Sequence, residues 1–169
     1  MKIWVDADGC PNAVKEIVFR ASTRLQLPVV LVANRPIYTP SNGLIGSVVV
    51  PHGLDEADIW IAERVDPEDV VITADIPLAA QIVAKGSIGI SPRGELYTED
   101  NVRERLSMRD FMASLREQGI HGSGAPPFDQ RAKEQFANAL DRTLTRAIRD
   151  AERAAARAAT QQDDDDAQG

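Results

Sequence analysis

The chain has 169 residues and a formal net charge of −7, and 43% of its residues are hydrophobic. This length and composition predict one domain with a buried core, and the acidic balance argues against a strongly basic nucleic-acid-binding protein. Because no apolar run is long enough to cross a bilayer, the N-terminus lacks a signal-peptide pattern and Cys10 is the only cysteine, we expect no membrane span, no internal disulfide and a cytoplasmic location.

The first half of the chain alternates short apolar runs with segments whose apolar residues recur at helical spacing. Five apolar runs are predicted to form strands, of which the first two are predicted to be buried: 2–6, 28–33, 47–50, 69–73 and 87–90. Three segments between them are predicted to form helices: 13–25, 54–65 and 76–85. Such alternation predicts an α/β fold, a three-layer sandwich with a mostly parallel central sheet of about five strands.

The second half of the chain is predicted to be helical. Residues 98–117 and 129–159 have helical periodicity and are separated by a segment rich in glycine and proline, 119–127. Seven basic side chains crowd the last helix, which is typical of a solvated face, with contact to a phosphate backbone as the alternative. We expect an α/β domain with its C-terminal helices at 1–150, and a helix end with a disordered acidic tail at 151–169. The long last helix also offers a surface through which two copies can form a homodimer.

Three aspartates stand where predicted strands end. Asp6 and Asp8 follow the first strand, and Asp75 follows the fourth. The carboxyl ends of parallel strands form the ligand crevice of an open α/β sheet, and carboxylates gathered there repel one another unless a cation lies between them. Hard divalent cations such as Mg²⁺ and Mn²⁺ prefer oxygen ligands, so the pattern predicts a metal site. The alternative for Asp8 and Asp75 is a helix cap, since a predicted helix follows each of them.

Two further acids, Asp55 and Asp58, lie three residues apart at the start of a predicted helix and therefore share a face. Asp58 lies beside an apolar stripe and needs a partner if it is buried, so both are candidate metal ligands. The alternative is that Asp55 caps the helix and that the pair is exposed near its N-terminus, where Glu56 is also expected on the surface. Four residues of the same rim are candidate substrate contacts: Asn34, Arg35, Thr73 and Arg93.

Catalysis by cysteine or histidine is not indicated. Cys10 is interpreted as a small packed residue, and His52 and His121 show neither zinc-site spacing nor a serine or cysteine partner. Activation of a water nucleophile would then depend on the metal.

Six motifs make the chain similar to a known family. They are 6–11 (DADGCP), 32–34 (VAN), 55–58 (DEAD), 72–79 (ITADIPLA), 92–95 (PRGE) and 126–128 (PPF). Through these motifs, residues 1 to about 150 resemble the bacterial YaiI/YqxD-like family, whose domain in turn resembles the PIN-like nucleases. The resemblance implies cleavage of RNA or DNA with Mg²⁺ or Mn²⁺, held by residues that match Asp6, Asp58 (or Asp55) and Asp75. Ile76 and Pro77 stand where PIN nucleases usually carry a further acid, and Asp8 is the candidate to replace it.

These observations favour a metal-dependent phosphodiesterase that acts on nucleic acid, with RNA ahead of DNA. The predicted catalytic residues are Asp6, Asp8, Asp58 and Asp75, and the predicted metal ligands are the same four with Asp55. A first alternative is a phosphatase similar to the haloacid dehalogenases, with Asp6 as nucleophile, Thr73 as phosphate-binding hydroxyl and Lys85 as the lysine, although the acid pair expected after a later strand is missing. A second alternative is a non-catalytic binding module whose acids hold a structural cation or none.

Overall fold

The computed structural model describes residues 1–122 and 124–167. Within them, five strands and five helices follow the predicted order: β1 (Ile3–Asp6), α1 (Asn12–Leu25), β2 (Val29–Ala33), β3 (Ile45–Val49), α2 (Glu56–Arg64), β4 (Val70–Ile72), α3 (Ile76–Ala84), β5 (Ile88–Ile90), α4 (Glu99–Glu117) and α5 (Gln130–Ala167). Their bounds agree with the predicted ones to within two residues, except at the end of α5.

All five strands lie in one parallel sheet, in the order β3-β2-β1-β4-β5. The predicted α/β class with a parallel central sheet is therefore confirmed. The chain builds the sheet from β1 through β2 and β3 in one direction, and then crosses back to add β4 and β5 on the other side. The carboxyl ends of β1 and β4 flank the point where the strand order reverses, which is where a crevice opens in such sheets.

Helices cover both faces of the sheet, because its central strands β1, β2 and β4 are apolar and buried on both sides. Side chains alternate along β1: Ile3 and Val5 face the layer that contains Phe136 of α5 and the apolar face of α1. Trp4, which lies between them, faces the layer of α2 and α3, where it packs with Leu78. Helix α4 packs beside α3. These layers confirm the predicted sandwich with additional C-terminal helices.

Polar groups at the amino-terminal edge of the sheet are paired with one another. Asp69, which precedes β4, is 1% exposed and accepts three hydrogen bonds, from the Lys2 amide, the Trp4 indole and the Asp66 amide at 2.9, 2.8 and 3.1 Å. A buried carboxylate with this many donors is satisfied by the protein itself. Asp69 therefore holds β1 against β4, and a ligand is expected at the opposite edge.

Helix α5 is longer than the sequence predicts. A disordered tail was expected after the helix predicted over 129–159, whereas the helix continues to Ala167; Gln168 and Gly169 lie outside the described residues. Residues 151–161 are exposed, and their many alanines and arginines have the high intrinsic propensity that sustains a helix without tertiary contacts. The division of the chain at residue 150 stays a prediction. None of the described helices has both the length and the apolar character needed to cross a membrane.

Candidate metal centre

The site begins where β1 and β4 end side by side. Asp6, the last residue of β1, is 9% exposed, and its Oδ2 accepts a 2.8 Å hydrogen bond from the hydroxyl of Thr73. Thr73 directly follows β4 and is completely buried, and its carbonyl accepts a 2.9 Å hydrogen bond from the Tyr97 hydroxyl. The predicted substrate contact of Thr73 stays a prediction. The Thr73 hydroxyl positions the Asp6 carboxylate relative to β4.

Asp75 lies two residues beyond Thr73, at the start of α3. Its amide donates to the Thr73 hydroxyl oxygen at 2.9 Å, and its Oδ1 accepts the Leu78 amide at 2.8 Å as the N-cap of the helix. The helix-cap alternative is therefore correct for Asp75. A cap occupies only part of the acceptor capacity of a carboxylate, so the same side chain can also bind a cation.

Two acids at the start of α2 approach Asp75. Carboxylate oxygens of Asp55, Asp58 and Asp75 all lie within 4.8 Å of one another, and no other such acidic group occurs among the described residues. Asp55 occupies the N-cap position of α2, but its side chain makes no cap hydrogen bond, so the predicted cap is wrong. Its φ of 63° lies in the left-handed region, which costs a non-glycine residue about 1–2 kcal/mol. The strained backbone at Asp55 thus accompanies a carboxylate that joins the cluster instead of capping the helix.

These carboxylates line one cavity of about 410 Å³. Its wall contains six acidic residues: Asp6, Asp8, Asp55, Glu56, Asp58 and Asp75. The N-cap position of α1 is Pro11, so Asp8 does not cap this helix. The Oδ2 atom of Asp8 accepts a 2.8 Å hydrogen bond from the Asn34 amide, which connects the turn after β1 to the end of β2. None of the ion pairs within the described part of the chain includes any of the six. The cavity therefore concentrates negative charge without a protein cation to balance it.

Burial and charge repulsion within the cavity raise the pKa of Asp58. Partial burial, followed by the negative charges of Asp75, Asp6 and Asp55 and a hydrogen bond with Asp75, raises this pKa from 3.8 to about 7. Burial also raises the pKa of Asp6 against the opposing hydrogen bond from Thr73, and the charges of Asp75 and Asp8 add to the increase. Without a cation, the cavity therefore retains a proton up to near-neutral pH, and a bound cation would displace it.

The donor set suits a hard divalent cation. It consists of carboxylate oxygens, and the described lining of the cavity includes no cysteine or histidine, the ligands that softer metals prefer. Two ligands of one ion are separated by at most twice the metal–oxygen bond, about 4.2 Å for Mg²⁺ and about 5 Å for Ca²⁺. The 4.8 Å spread of the three oxygens is compatible with shared ligation after small side-chain adjustments. Asp6 and Asp8 lie outside this tight group, and their role as ligands stays a prediction.

Some predicted site residues do not reach this cavity. Asn34 lines it, whereas the exposed Arg35 is not part of its described wall. Arg93 lines a neighbouring cavity, where its guanidinium donates to the carbonyl of Pro126. Lys85 lies at the C-terminal end of α3, at the opposite edge of the sheet, and its ammonium donates to a carbonyl of α2. The lysine that the phosphatase alternative requires is therefore not at the site.

Cys10 is packed and the two histidines are exposed. The burial of Cys10 confirms the prediction of a packed residue, and it raises the pKa of the thiol to about 12. His52 and His121 are exposed, and neither belongs to the described wall of the carboxylate cavity.

Two residues of the site were missed from sequence. Glu56 is exposed as expected but also lines the carboxylate cavity, and its position directly after Asp55 at a helix start was the available signal. Tyr97 supports the Thr73 carbonyl from a segment 24 residues away in sequence. No local pattern could have indicated that contact, because it depends on how β5 and α3 pack.

Known proteins related to this chain match it over most of its length. The family model described as "Uncharacterized BCR, YaiI/YqxD family" matches residues 4–146. A UPF0178 protein of Trichlorobacter lovleyi is 60% identical over 153 residues, which cover 90% of this chain and 99% of the relative. UPF0178 proteins of Geobacter metallireducens and Shewanella baltica are 57% and 54% identical, over 89% and 86% of this chain and 97% of each relative. No solved structure matches the chain.

Proposed function

The chain belongs to the uncharacterised bacterial YaiI/YqxD family, and we propose that it is a metal-dependent phosphodiesterase that cleaves nucleic acid, with RNA ahead of DNA. The resemblance to PIN-like nucleases indicates this class from sequence, and the carboxylate cavity supports it on separate grounds. The cation, Mg²⁺ or Mn²⁺, would be held by Asp55, Asp58 and Asp75, with Asp6 and Asp8 in the same cavity.

One observation carries the proposal: three carboxylate oxygens from two separate elements lie within 4.8 Å of one another in a cavity whose described wall has no cationic side chain. Burial, followed by the negative charges of Asp75, Asp6 and Asp55, raises the pKa of Asp58, so a cavity in which every carboxylate is ionised is unfavourable without a cation. A bound divalent cation removes this repulsion and uses oxygen donors of this kind.

The chain's own residues would act mainly by holding the carboxylates of the site in place. Thr73 donates to Asp6 at 2.8 Å and accepts from the Asp75 amide at 2.9 Å, so both strand-end acids are held in place before substrate arrives. When bound, a hard cation lowers the pKa of a coordinated water and neutralises charge on phosphoryl oxygens. Asp6 and Asp8, which lie outside the tight group, would orient a water or take up its proton.

The two alternatives differ from this proposal in measurable ways. A haloacid-dehalogenase-like phosphatase would need a lysine at the site, but Lys85 lies at the other edge of the sheet. A non-catalytic binding module would use the same carboxylates for a structural cation. It would bind metal and cleave nothing.

A nuclease assay with paired variants tests the proposal. The full chain is incubated with end-labelled single-stranded RNA and Mn²⁺, beside Asp58→Asn, Asp75→Asn and the control Asp110→Asn. Asp110 is an exposed residue of α4 outside the described wall of the cavity, so its substitution removes one carboxylate elsewhere. We expect cleavage by wild type and control, and a loss of at least about 100-fold in the site variants, because losing a residue that only orients a metal ligand already costs about 10–100-fold.

Equal cleavage by all four proteins would identify a contaminating nuclease and contradict the proposal. Mn²⁺ binding without cleavage of RNA or DNA would favour the binding module. Release of phosphate from a phosphomonoester, abolished by Asp6→Asn, would favour the phosphatase.

A further inference from the structure

We propose that a second cavity, beside the carboxylates, binds the phosphate next to the scissile one, so that the substrate is a phosphodiester chain and not a phosphomonoester. This inference rests on the proposed function. The second cavity, here called the arginine cavity, has a volume of about 290 Å³, and its wall includes Arg93, Arg105 and Phe128. Gly9 and Ala74 line both cavities, so the two adjoin along the turns that follow β1 and β4.

The two cavities have opposite electrostatic character. The described wall of the carboxylate cavity has six acidic residues and no basic one. The described wall of the arginine cavity has two arginines and a single acid, Glu95. A polyanion whose reacting phosphate is neutralised by a cation in the first cavity would be repelled by further carboxylates. The arginines of the second cavity are favourable partners for the other phosphates of such a polyanion.

The turn that carries Arg93 is fixed on both sides. The Ser91 hydroxyl oxygen accepts the amides of Arg93 and Glu95 at 3.3 and 3.0 Å. Gly94 has a φ of 85° and lies so close to α5 that an added Cβ would be 2.7 Å from the carbonyl oxygen of Gln135. The turn is therefore seated against α5, and Arg93 projects from a rigid support and not from a loose loop.

The Arg93 side chain is held in place, but most of its N–H groups make no hydrogen bond to the described residues. Its guanidinium donates to the Pro126 carbonyl and lies 5.8 Å from the centroid of the Phe128 ring. A guanidinium has five N–H groups, and the described residues accept one hydrogen bond from it. No carboxylate of the described chain pairs with it. A preorganised, exposed guanidinium without a carboxylate partner matches the geometry of a phosphate.

Arg105, the second cation of this cavity, is held by a protein anion. Its guanidinium forms an ion pair with Glu95, and both side chains are substantially exposed. Exposed ion pairs are weak, so a phosphate can compete with the Glu95 carboxylate for this guanidinium. Removing the Glu95 charge should then strengthen phosphate binding, whereas a purely structural ion pair would give no such gain.

The position of the arginine cavity beside the carboxylates indicates which class of phosphate ester would bind. A phosphomonoester has one phosphate, which would lie at the carboxylates and leave the arginines without a ligand. Consecutive nucleotides carry a phosphate each, and a chain that passes over Gly9 and Ala74 can present phosphates to both cavities. The arginine cavity therefore favours a nucleic-acid strand as substrate.

Oligonucleotide binding by charge-matched variants tests this inference independently of cleavage. Fluorescence anisotropy of a fluorescein-labelled single-stranded RNA measures affinity in Ca²⁺ at several salt concentrations, with a gel to check that the RNA stays intact. The matched control for Arg93→Gln is Arg64→Gln. Arg64 also lies over an aromatic ring, 4.2 Å from the Trp60 centroid, but stands at the C-terminal end of α2, away from both cavities.

We expect Arg93→Gln to weaken binding about fivefold at 0.1 M salt and to reduce the slope of log affinity against log salt by about 0.7, the value of one phosphate contact on a single strand. Arg64→Gln should bind like wild type. Glu95→Gln should bind about as many times more tightly as Arg93→Gln binds more weakly, because Arg105 is released.

Equal affinities for Arg93→Gln and Arg64→Gln, or no binding of RNA by the wild type, would overturn the inference. If Arg93→Gln fails to fold because the Pro126 contact is lost, Glu95→Gln decides: tighter binding supports the arginine cavity, and unchanged or weaker binding refutes it. If RNA binds through Arg93 but is never cleaved, this inference stands and only the proposed hydrolysis is refuted.

Discussion

The hydroxyl of Thr73 lies between the two strand-end acids and contacts both residues. It donates to the Asp6 carboxylate and accepts the Asp75 amide from a completely buried position. A buried hydroxyl with both partners satisfied holds those partners in place, and removing it leaves the Asp6 oxygen without its donor. At the scale of single residues, the site therefore depends on a buried side chain that positions the acids around it.

Replacing Thr73 with valine is expected to lower the free energy of unfolding by about 1–3 kcal/mol, because the nearly buried Asp6 oxygen loses its hydrogen bond. Mn²⁺ affinity should fall in the same variant, since Asp6 and Asp75 lose their common support. Urea unfolding and calorimetric titration measure the two effects. Thr73→Ser keeps the hydroxyl and is the control; a valine variant that matches it in both measurements would contradict this role.

The raised pKa of Asp58 predicts how stability depends on pH in the metal-free protein. The folded protein binds a proton at Asp58 up to about pH 7, whereas the unfolded chain releases it near 3.8. Stability from this group is therefore fully present below about pH 4 and is lost as pH rises through 7. Thermal unfolding in EDTA should show this decline for wild type and a flatter profile for Asp58→Asn. Identical profiles would show that Asp58 is not in the crowded environment described here.

At the scale of elements, the strands and helices could be predicted because each depends on a short local pattern. The buried runs of β1 and β4 and the helical spacing of α1 are visible in the sequence. The start of α2 could not be predicted in detail, because the left-handed backbone of Asp55 and its missing cap depend on the packing of the preceding loop. For this reason the sequence grouped Asp75 first with the strand-end acids Asp6 and Asp8, whereas the tight group joins Asp75 to Asp55 and Asp58.

The contact between the 91–95 turn and α5 gives a prediction at this scale. Gly94→Ala adds a Cβ 2.7 Å from the Gln135 carbonyl oxygen at a residue with a φ of 85°, so we expect a loss of at least about 1–2 kcal/mol in the free energy of unfolding. Gly46→Ala in β3 is the control, since a Cβ there meets nothing within 4 Å and φ is not positive. Urea unfolding that shows no difference between the two variants would refute the close approach.

At the scale of the whole molecule, the two edges of the sheet differ in whether their acidic residues have protein partners. At the amino-terminal edge, Asp69 has three protein donors, and its position could be explained by stability alone. At the carboxyl-terminal edge, six acidic residues share one cavity, and the described chain pairs none of them with a cation. The alternation of strands and helices predicted which edge would gather the acids. It could not predict their distances, which are set by side chains from segments far apart in the chain.

The most direct test of the metal centre is an anomalous difference map from crystals of the full chain soaked in Mn²⁺. The account predicts one peak within about 2.0–2.6 Å of carboxylate oxygens of Asp55, Asp58 and Asp75, and no peak there in crystals of Asp58→Asn. A wild-type map with no peak among these three carboxylates, or with peaks only elsewhere, would contradict it.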